Sequence, residues 1–193
     1  MQLEVSHCTD EVLEFTMKGA STALANAVRR VGMGFVPVFG IDKTTFYENT
    51  SCMFDEYIAH RMGLVPLVTP EGYTPKEIVM FTLDKNGPGI IYSKAMKSSD
   101  SKVTVANDDI PIILLNKGET IRVEAQARLG IGREHARYQP GLISYEKTKD
   151  GEFNMFVESF GNMTAKELLN RTVDLMEEKM AALKVELKKA GKE

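Results

Sequence analysis

Two sets of side chains in this sequence have the types to do chemistry. Glu56 and His60 stand four apart in the segment from Asp55 to Leu67, and Glu134 and His135 are adjacent in the segment from Arg128 to Pro140. Carboxylates and imidazoles are ligands for zinc, iron or manganese, and a metal held by Glu56, His60 and His135 would activate water for hydrolysis. The spacing speaks against that use. Di-metal bundles place Glu and His three apart and call for further carboxylates, and histidine is more often a hydrogen-bonded structural residue. The second set is Asn26, Arg29 and Arg30, an amide and two guanidinium groups on one turn of helix. Guanidinium can pair bidentately with carboxylates or bind backbone carbonyls. Basic residues near a helix C-terminus also occur as plain solvated charges, stabilising by about 0.3–1 kcal/mol.

Other catalytic signatures are missing. The sequence has no nucleophile elbow, P-loop or dinucleotide-binding fingerprint. Gly130-Ile131-Gly132 is an isolated GxG, read as a tight backbone turn. Cys8 and Cys52 are the only cysteines. They cannot form a CxxC framework and imply a reducing compartment, where each is expected to be a small buried hydrophobe.

The elements that must position these groups can be read from periodicity. Leu24, Ala27, Val28 and Val31 follow the i, i+3, i+4, i+7 spacing of one helical face. Ser21 and Thr22 are candidate caps for its start, and Gly32 and Gly34 are expected to end it. A strand from Val36 to Phe46, interrupted by Pro37, follows. Before the helix, Leu3 and Val5 alternate with polar residues, Thr9-Asp10 supplies a turn, and Val12 to Met17 returns as the second strand of a hairpin. From Val36 to Gln139 short strands dominate. Residues 79–83 are strand-like and 85–89 are a dense turn signal. Short strands follow at 90–93 and 102–105, while Tyr92 to Asp109 is polar and reads as a mobile edge. Pro111 to Leu115 and Thr120 to Ala127 flank Asn116-Lys117-Gly118-Glu119 as an expected hairpin. A second hairpin is expected from Leu142–Tyr145 and Phe153–Phe160 around Lys149-Asp150-Gly151.

Thr164 and Glu167 match a capping box, so a helix of roughly 40 Å is expected to run to Ala190, with Gly191 as its stop. Leu169, Val173, Met176, Met180, Leu183 and Leu187 repeat at alternating spacings of four and three along it, a heptad seam. Part of this seam is expected on the chain's own sheet and the outer turns on a partner. Burying six such side chains contributes about 10 kcal/mol gross. Association costs about 4–15 kcal/mol, so the Leu24 helix must join the same interface.

Composition narrows the function classes. The 24 basic residues are scattered among 27 acidic ones, giving a net charge of −3. No basic run interleaves with aromatics, so the chain is not expected to grip nucleic acid itself. No apolar run approaches the roughly 18 residues of a membrane span, and no signal-peptide core is present; a soluble, cytoplasmic protein is expected. A chain of this length buries roughly 70% of its extended surface, so it needs no disulfide or metal staple.

The order NAVRR, a proline-containing strand, ENTS, DEYIAHRMGLVPL and RLGIGREHARYQP resembles the alpha-type assembly subunits of multisubunit RNA polymerase. The resemblance is to their archaeal D family in particular, the counterpart of the bacterial alpha N-terminal domain and of the third-largest eukaryotic polymerase II subunit. It spans essentially the whole chain.

The resemblance implies an α+β fold with a discontinuous dimerisation domain, residues 1–37 and 141–193, around an inserted, mostly β domain at 38–140. It implies a non-catalytic assembly subunit of DNA-dependent RNA polymerase that pairs with the smaller subunit L. The pair would dock the second-largest subunit, with the small assembly subunits N and P as further partners, and would reach DNA only through the complex. Asn26, Arg29, Arg30, His60 and Arg61 are then expected to face the large subunit. Leu24, Ala27, Val28, Val31, Leu169, Val173, Met176, Met180, Leu183 and Leu187 are expected in the dimer interface. Many archaeal members carry a cysteine-rich segment with iron–sulfur clusters. With only Cys8 and Cys52, this chain is expected to hold no cofactor. Two other readings stand beside this one: a bacterial-alpha-like homodimer, and the metal-dependent hydrolase built on Glu56, His60 and His135.

Overall fold

A computed structural model describes residues 1–190. The chain forms two compact units, and the first is discontinuous: Met1–Val36, Pro140–Ser159 and the segment from Thr164 onward. Four strands build its sheet: β1 (Gln2–Cys8), β2 (Val12–Lys18), β9 (Gly141–Lys149) and β10 (Glu152–Ser159). They are antiparallel and lie in the order β1-β2-β10-β9. β1 and β2 form the expected hairpin, closed by the Val12 amide donating to Thr9 Oγ1 at 2.9 Å. β9 and β10 form the other around Asp150-Gly151. Leu13, Phe15, Met17, Phe153, Met155 and Val157 alternate onto the covered face. Against that face lie α1 (Thr22–Phe35) and α3 (Ala165–Ala190), which also pack on each other.

Two details of this unit differ from what the sequence implies. Gly32 and Gly34 do not end α1; the helix runs through both to Phe35. Gly32 is buried where a Cβ would meet Ile143 and stand 2.8 Å from Thr172 Oγ1, so it is a close-packing glycine at the crossing with α3. β1 is exposed along its whole length rather than half-buried, because it is the sheet edge and no helix of the described residues covers its apolar side chains. The expected stop at Gly191 lies outside the described residues.

The second unit comprises Pro37–Gln139 with Phe160–Met163. From the sequence, Phe160–Met163 belonged with the flanking segments. Its attachment here has a cause: the Thr69 amide donates to Asn162 O and Asn162 Nδ2 to Leu67 O, each at 2.8 Å. The strands of this unit are β3 (Pro37–Asn49), β4 (Ile78–Asn86), β5 (Gly89–Tyr92), β6 (Lys97–Ser98), β7 (Pro111–Leu115) and β8 (Thr120–Ile131). A four-stranded antiparallel sheet has the order β3-β8-β4-β6, and a two-stranded sheet pairs β5 with β7. The helix α2 (Asp55–Gly63) packs on β3 and β7. Phe39, Ile41, Ile58, Met62, Phe81, Leu83 and Ile121 form one core with their neighbours.

The expected hairpin at Asn116–Glu119 is a turn but not a hairpin. The Glu119 amide donates to Asn116 O at 3.1 Å, yet β7 pairs with β5 whereas β8 pairs with β3 and β4. The polar stretch 92–109 is not a loose edge. Ser93 and Lys94 donate backbone bonds to Ile110 and Asp108, Tyr73 Oη donates to Asp100 Oδ2 at 2.6 Å, and Met96 and Val103 are buried. Most of its polar side chains are exposed, but Ser93 is buried and its hydroxyl donates to Asn107 O. Residues 102–105 form no strand, only a single bridge from Val105 to Leu67.

Candidate functional site

The first unit carries an apolar groove of about 300 Å³ between its sheet and the two helices. Its floor is Phe15, Met17 and Met155, all buried, with Leu3 of β1 at one rim. α1 contributes Leu24 and Val28, and α3 contributes Leu169, Val173, Met176 and Met180. Glu177 is the only charged side chain of the lining among the described residues. Local sequence explains each wall. Ser21 caps α1, its side chain accepting from the Leu24 amide at 3.2 Å, and Thr164 Oγ1 accepts from the Glu167 amide at 3.1 Å to start α3.

The heptad residues are offset from the helix face that the chain buries itself. Ala165, Leu168 and Thr172 are the buried residues of α3. Leu169 and Met176 are half-buried, while Val173, Met180, Leu183 and Leu187 are 44%, 57%, 52% and 63% exposed. From Glu177 to Ala190 every residue is exposed. On α1 the inward residues are Ala25, Val28 and Gly32; Leu24, Ala27 and Val31 are half-buried, and Ala27 and Val31 do not line the groove. Leu3, Phe15, Met17 and Met155 were not expected in this surface from the sequence. Their signal was the two-residue alternation of the strands, which marks a face but not what is left open on it.

The polar set separates in the structure. Arg29 donates to Asn26 Oδ1 through Nε at 3.2 Å and Nη2 at 3.0 Å, so these two side chains are tied together on α1. Arg30 is exposed and makes no such bond among the described residues. On α2 His60 is exposed, whereas Arg61 reaches across its own unit. Arg61 Nε donates to Ile112 O at 2.8 Å, and Nη2 donates to Pro111 O. Arg61 thereby fixes the start of β7.

The segment 128–140 builds a clamp rather than a ligand site. The Tyr138 ring lies flat against β3 and β8, where a Cβ on Gly40 would approach it to 2.9 Å and one on Gly130 to 2.7 Å. Gly130 is thus a strand residue cleared for a ring, not a turn. Tyr138 Oη donates to Asp42 Oδ1 at 3.2 Å, and Arg128 reaches Asp42 at 3.1 Å and Glu134 at 3.2 Å while its guanidinium lies over the ring. Burial pushes the Asp42 carboxyl up, but the Arg128 bond and charge with the Tyr138 hydroxyl outweigh it and hold the group below its ordinary value. Burial first, then the Asp42 carboxylate, pushes the Tyr138 phenol up to about 12. Arg137 Nη1 donates to Ile41 O at 2.6 Å, and His135 Nδ1 accepts from the Arg137 amide at 3.1 Å. His135 therefore caps a turn, and Glu134 serves Arg128. Among the described residues no three His, Cys, Asp or Glu side chains are grouped to hold a metal. Cys8 and Cys52 are exposed, not buried as expected, since one ends an edge strand and the other sits on the bend before α2.

Residues 41–146 match the RNA polymerase Rpb3/RpoA insert domain. The chain is 41% identical over 165 residues to DNA-directed RNA polymerase subunit Rpo3 of Methanocaldococcus jannaschii, covering 86% of this chain and 84% of that one. It is 40% identical to the Rpo3 subunit of Pyrococcus horikoshii over 76% of this chain and 59% of the relative, and 44% identical to that of Natronomonas pharaonis over 66% and 52%. The chain belongs to the Rpo3 family of DNA-directed RNA polymerase subunits. It spans between half and two thirds of the length of the latter two relatives.

Proposed function

We propose that this chain is a non-catalytic assembly subunit of an archaeal RNA polymerase, pairing through its first unit with a smaller alpha-like subunit of the L type. One observation carries the reading. The apolar groove runs onto a helix whose last turns, with Met180, Leu183 and Leu187, leave more than half of each of these side chains exposed. Exposing such a run to water is costly, at roughly 25 cal/mol per Å² of apolar area, and covering it with a second apolar helix pair removes that cost. Leu24 and Val28 continue the same surface on α1.

The pair would dock the second-largest subunit through Asn26, Arg29 and Arg30 on α1 and His60 and Arg61 on α2. Arg30 is the guanidinium best placed to reach outward, since Arg29 is engaged with Asn26 and Arg61 with β7. Subunits N and P would attach to the assembled complex, and DNA would be met only through it, in the cytoplasm. With Cys8 and Cys52 as its only cysteines, the chain is expected to carry no iron–sulfur group.

Co-expression with the L-type subunit, followed by size exclusion and mass determination, tests this reading. A one-to-one heterodimer supports it. A homodimer that ignores L would favour the bacterial-alpha-like arrangement, and stoichiometric zinc, iron or manganese in the purified chain would revive the hydrolase.

A further inference from the structure

We propose that Met176 and Met180 form an oxidation-sensitive site that decides whether the groove can take its partner. The inference rests on the pairing role proposed above and concerns its regulation. Of the 11 methionines in the chain, Met1, Met17, Met155, Met176 and Met180 line this single groove. Met17 and Met155 are buried in its floor. Met176 and Met180 stand four apart on one face of α3, half-buried and exposed respectively, so an oxidant reaches them while the groove is open. A seated partner would shield both.

The chemistry is a two-electron oxidation. A hydroperoxide such as hydrogen peroxide transfers one oxygen to the thioether sulfur, forming the S–O bond as the O–O bond breaks and leaving water. The flexible apolar side chain becomes a polar sulfoxide, which methionine sulfoxide reductases can return to the thioether. The groove is poorly equipped to accept that change. Its lining offers no side-chain hydrogen-bond donor: Glu177 has only acceptor oxygens, and the one ammonium there is the N-terminus of Met1, at the far end of the chain from Met176 and Met180 in sequence. A sulfoxide oxygen covered by an apolar partner would therefore be buried unpaired.

The test uses the purified full chain, hydrogen peroxide and the L-type subunit. Untreated chain must first pair; if it does not, the pairing role itself fails, before oxidation is at issue. Treated chain is expected to keep its helical circular dichroism, to show one added oxygen on each of Met176 and Met180 by peptide mass spectrometry, and to pair roughly tenfold or more weakly. The preformed pair, treated identically, should remain intact. The double variant Met176→Leu, Met180→Leu preserves volume and should pair as well after peroxide as before. Met53→Leu, in the second unit, should leave the sensitivity unchanged. Normal pairing of oxidised wild-type chain, loss of its helicity on treatment, equal sensitivity of the double leucine variant, or protection by Met53→Leu would each overturn the assignment.

Discussion

Gly32 of α1 and Thr172 of α3 meet so closely that the crossing has no room for a side chain on the glycine. A Cβ there would lie 2.8 Å from Thr172 Oγ1 and closer still to the tip of Ile143. Ile143 is buried, and Thr172 Oγ1 is fixed by donating to Leu168 O at 2.7 Å, so neither yields easily. Gly34, two residues on, has nothing within 4 Å of its Cβ position. Opposite outcomes follow for one substitution. Gly32→Ala should destabilise by about 1–3 kcal/mol through overpacking, larger than the roughly 1 kcal/mol that alanine contributes to a helix. Gly34→Ala should stabilise by a few tenths to about 1 kcal/mol. Thermal unfolding of both variants against wild type checks the pair; melting temperatures that move the same way would contradict this packing.

The clamp under Tyr138 makes a pH prediction. Asp42 has its carboxyl held below the ordinary value of 3.8, so it is deprotonated more readily in the folded chain than in the unfolded one. Its contribution is therefore fully present above the ordinary carboxylate range and fades as pH falls below 3.8 through the lower folded value. Asp42→Asn should be less stable than wild type at pH 7, and the gap should narrow on acidification through that window. Urea unfolding of both proteins from pH 7 down to about pH 3 measures it. A gap that is constant with pH would show that the loss is one of shape and not of charge.

The sequence made some of this readable and some not, and the division is physical. Ser21, Thr9 and Thr164 act on backbone groups within three residues, so their caps and turns are visible locally. The α+β character followed from such signals. Partner choice between strands did not. β7 and β8 look like a hairpin because a good turn joins them, yet their pairing is decided by β5 and β4, about 25 and 40 residues upstream. Gly32 looked like a helix stop and Gly130 like a turn because a missing Cβ frees the backbone; here it admits Thr172 and the Tyr138 ring, which no local window reveals. Arg61 was legible as a cation but not as the group that holds Ile112 O. The outer residues of the seam keep their apolar spacing where the chain leaves them exposed, and what covers them is a matter for experiment.

That persistence gives a prediction about pairing. Leu183 is 52% exposed in the chain alone, so Leu183→Glu should change the isolated chain's stability by no more than about 0.5 kcal/mol. In the pair the same carboxylate would be covered against an apolar helix, at a cost of several kcal/mol. Met176→Glu should do likewise from within the groove. Size exclusion of each variant co-expressed with the L-type subunit should show separated subunits. A full heterodimer from both variants would remove the seam from the interface.

The two sides of α1 can be tested one assembly step apart. Val28 is buried against its own unit and lines the groove, whereas Arg30 is exposed. At 100° per residue the two side chains are about 160° apart around the helix, so each can be changed without disturbing the other's packing. Val28→Asp places a carboxylate into the groove wall and should prevent a stable heterodimer. Arg30→Ala should leave the heterodimer intact and fail at the next step, recruitment of the second-largest subunit. Truncating one partner of a charge-assisted bond in a closed interface costs about 2–5 kcal/mol, or thirtyfold and more in affinity. Arg29→Ala should have a smaller effect at that step, because its guanidinium already spends two donors on Asn26 Oδ1. Stepwise reconstitution from purified subunits, following first the dimer and then the ternary complex, separates these outcomes. Normal recruitment by Arg30→Ala would make that arginine a solvated surface charge and move the docking surface elsewhere on the chain.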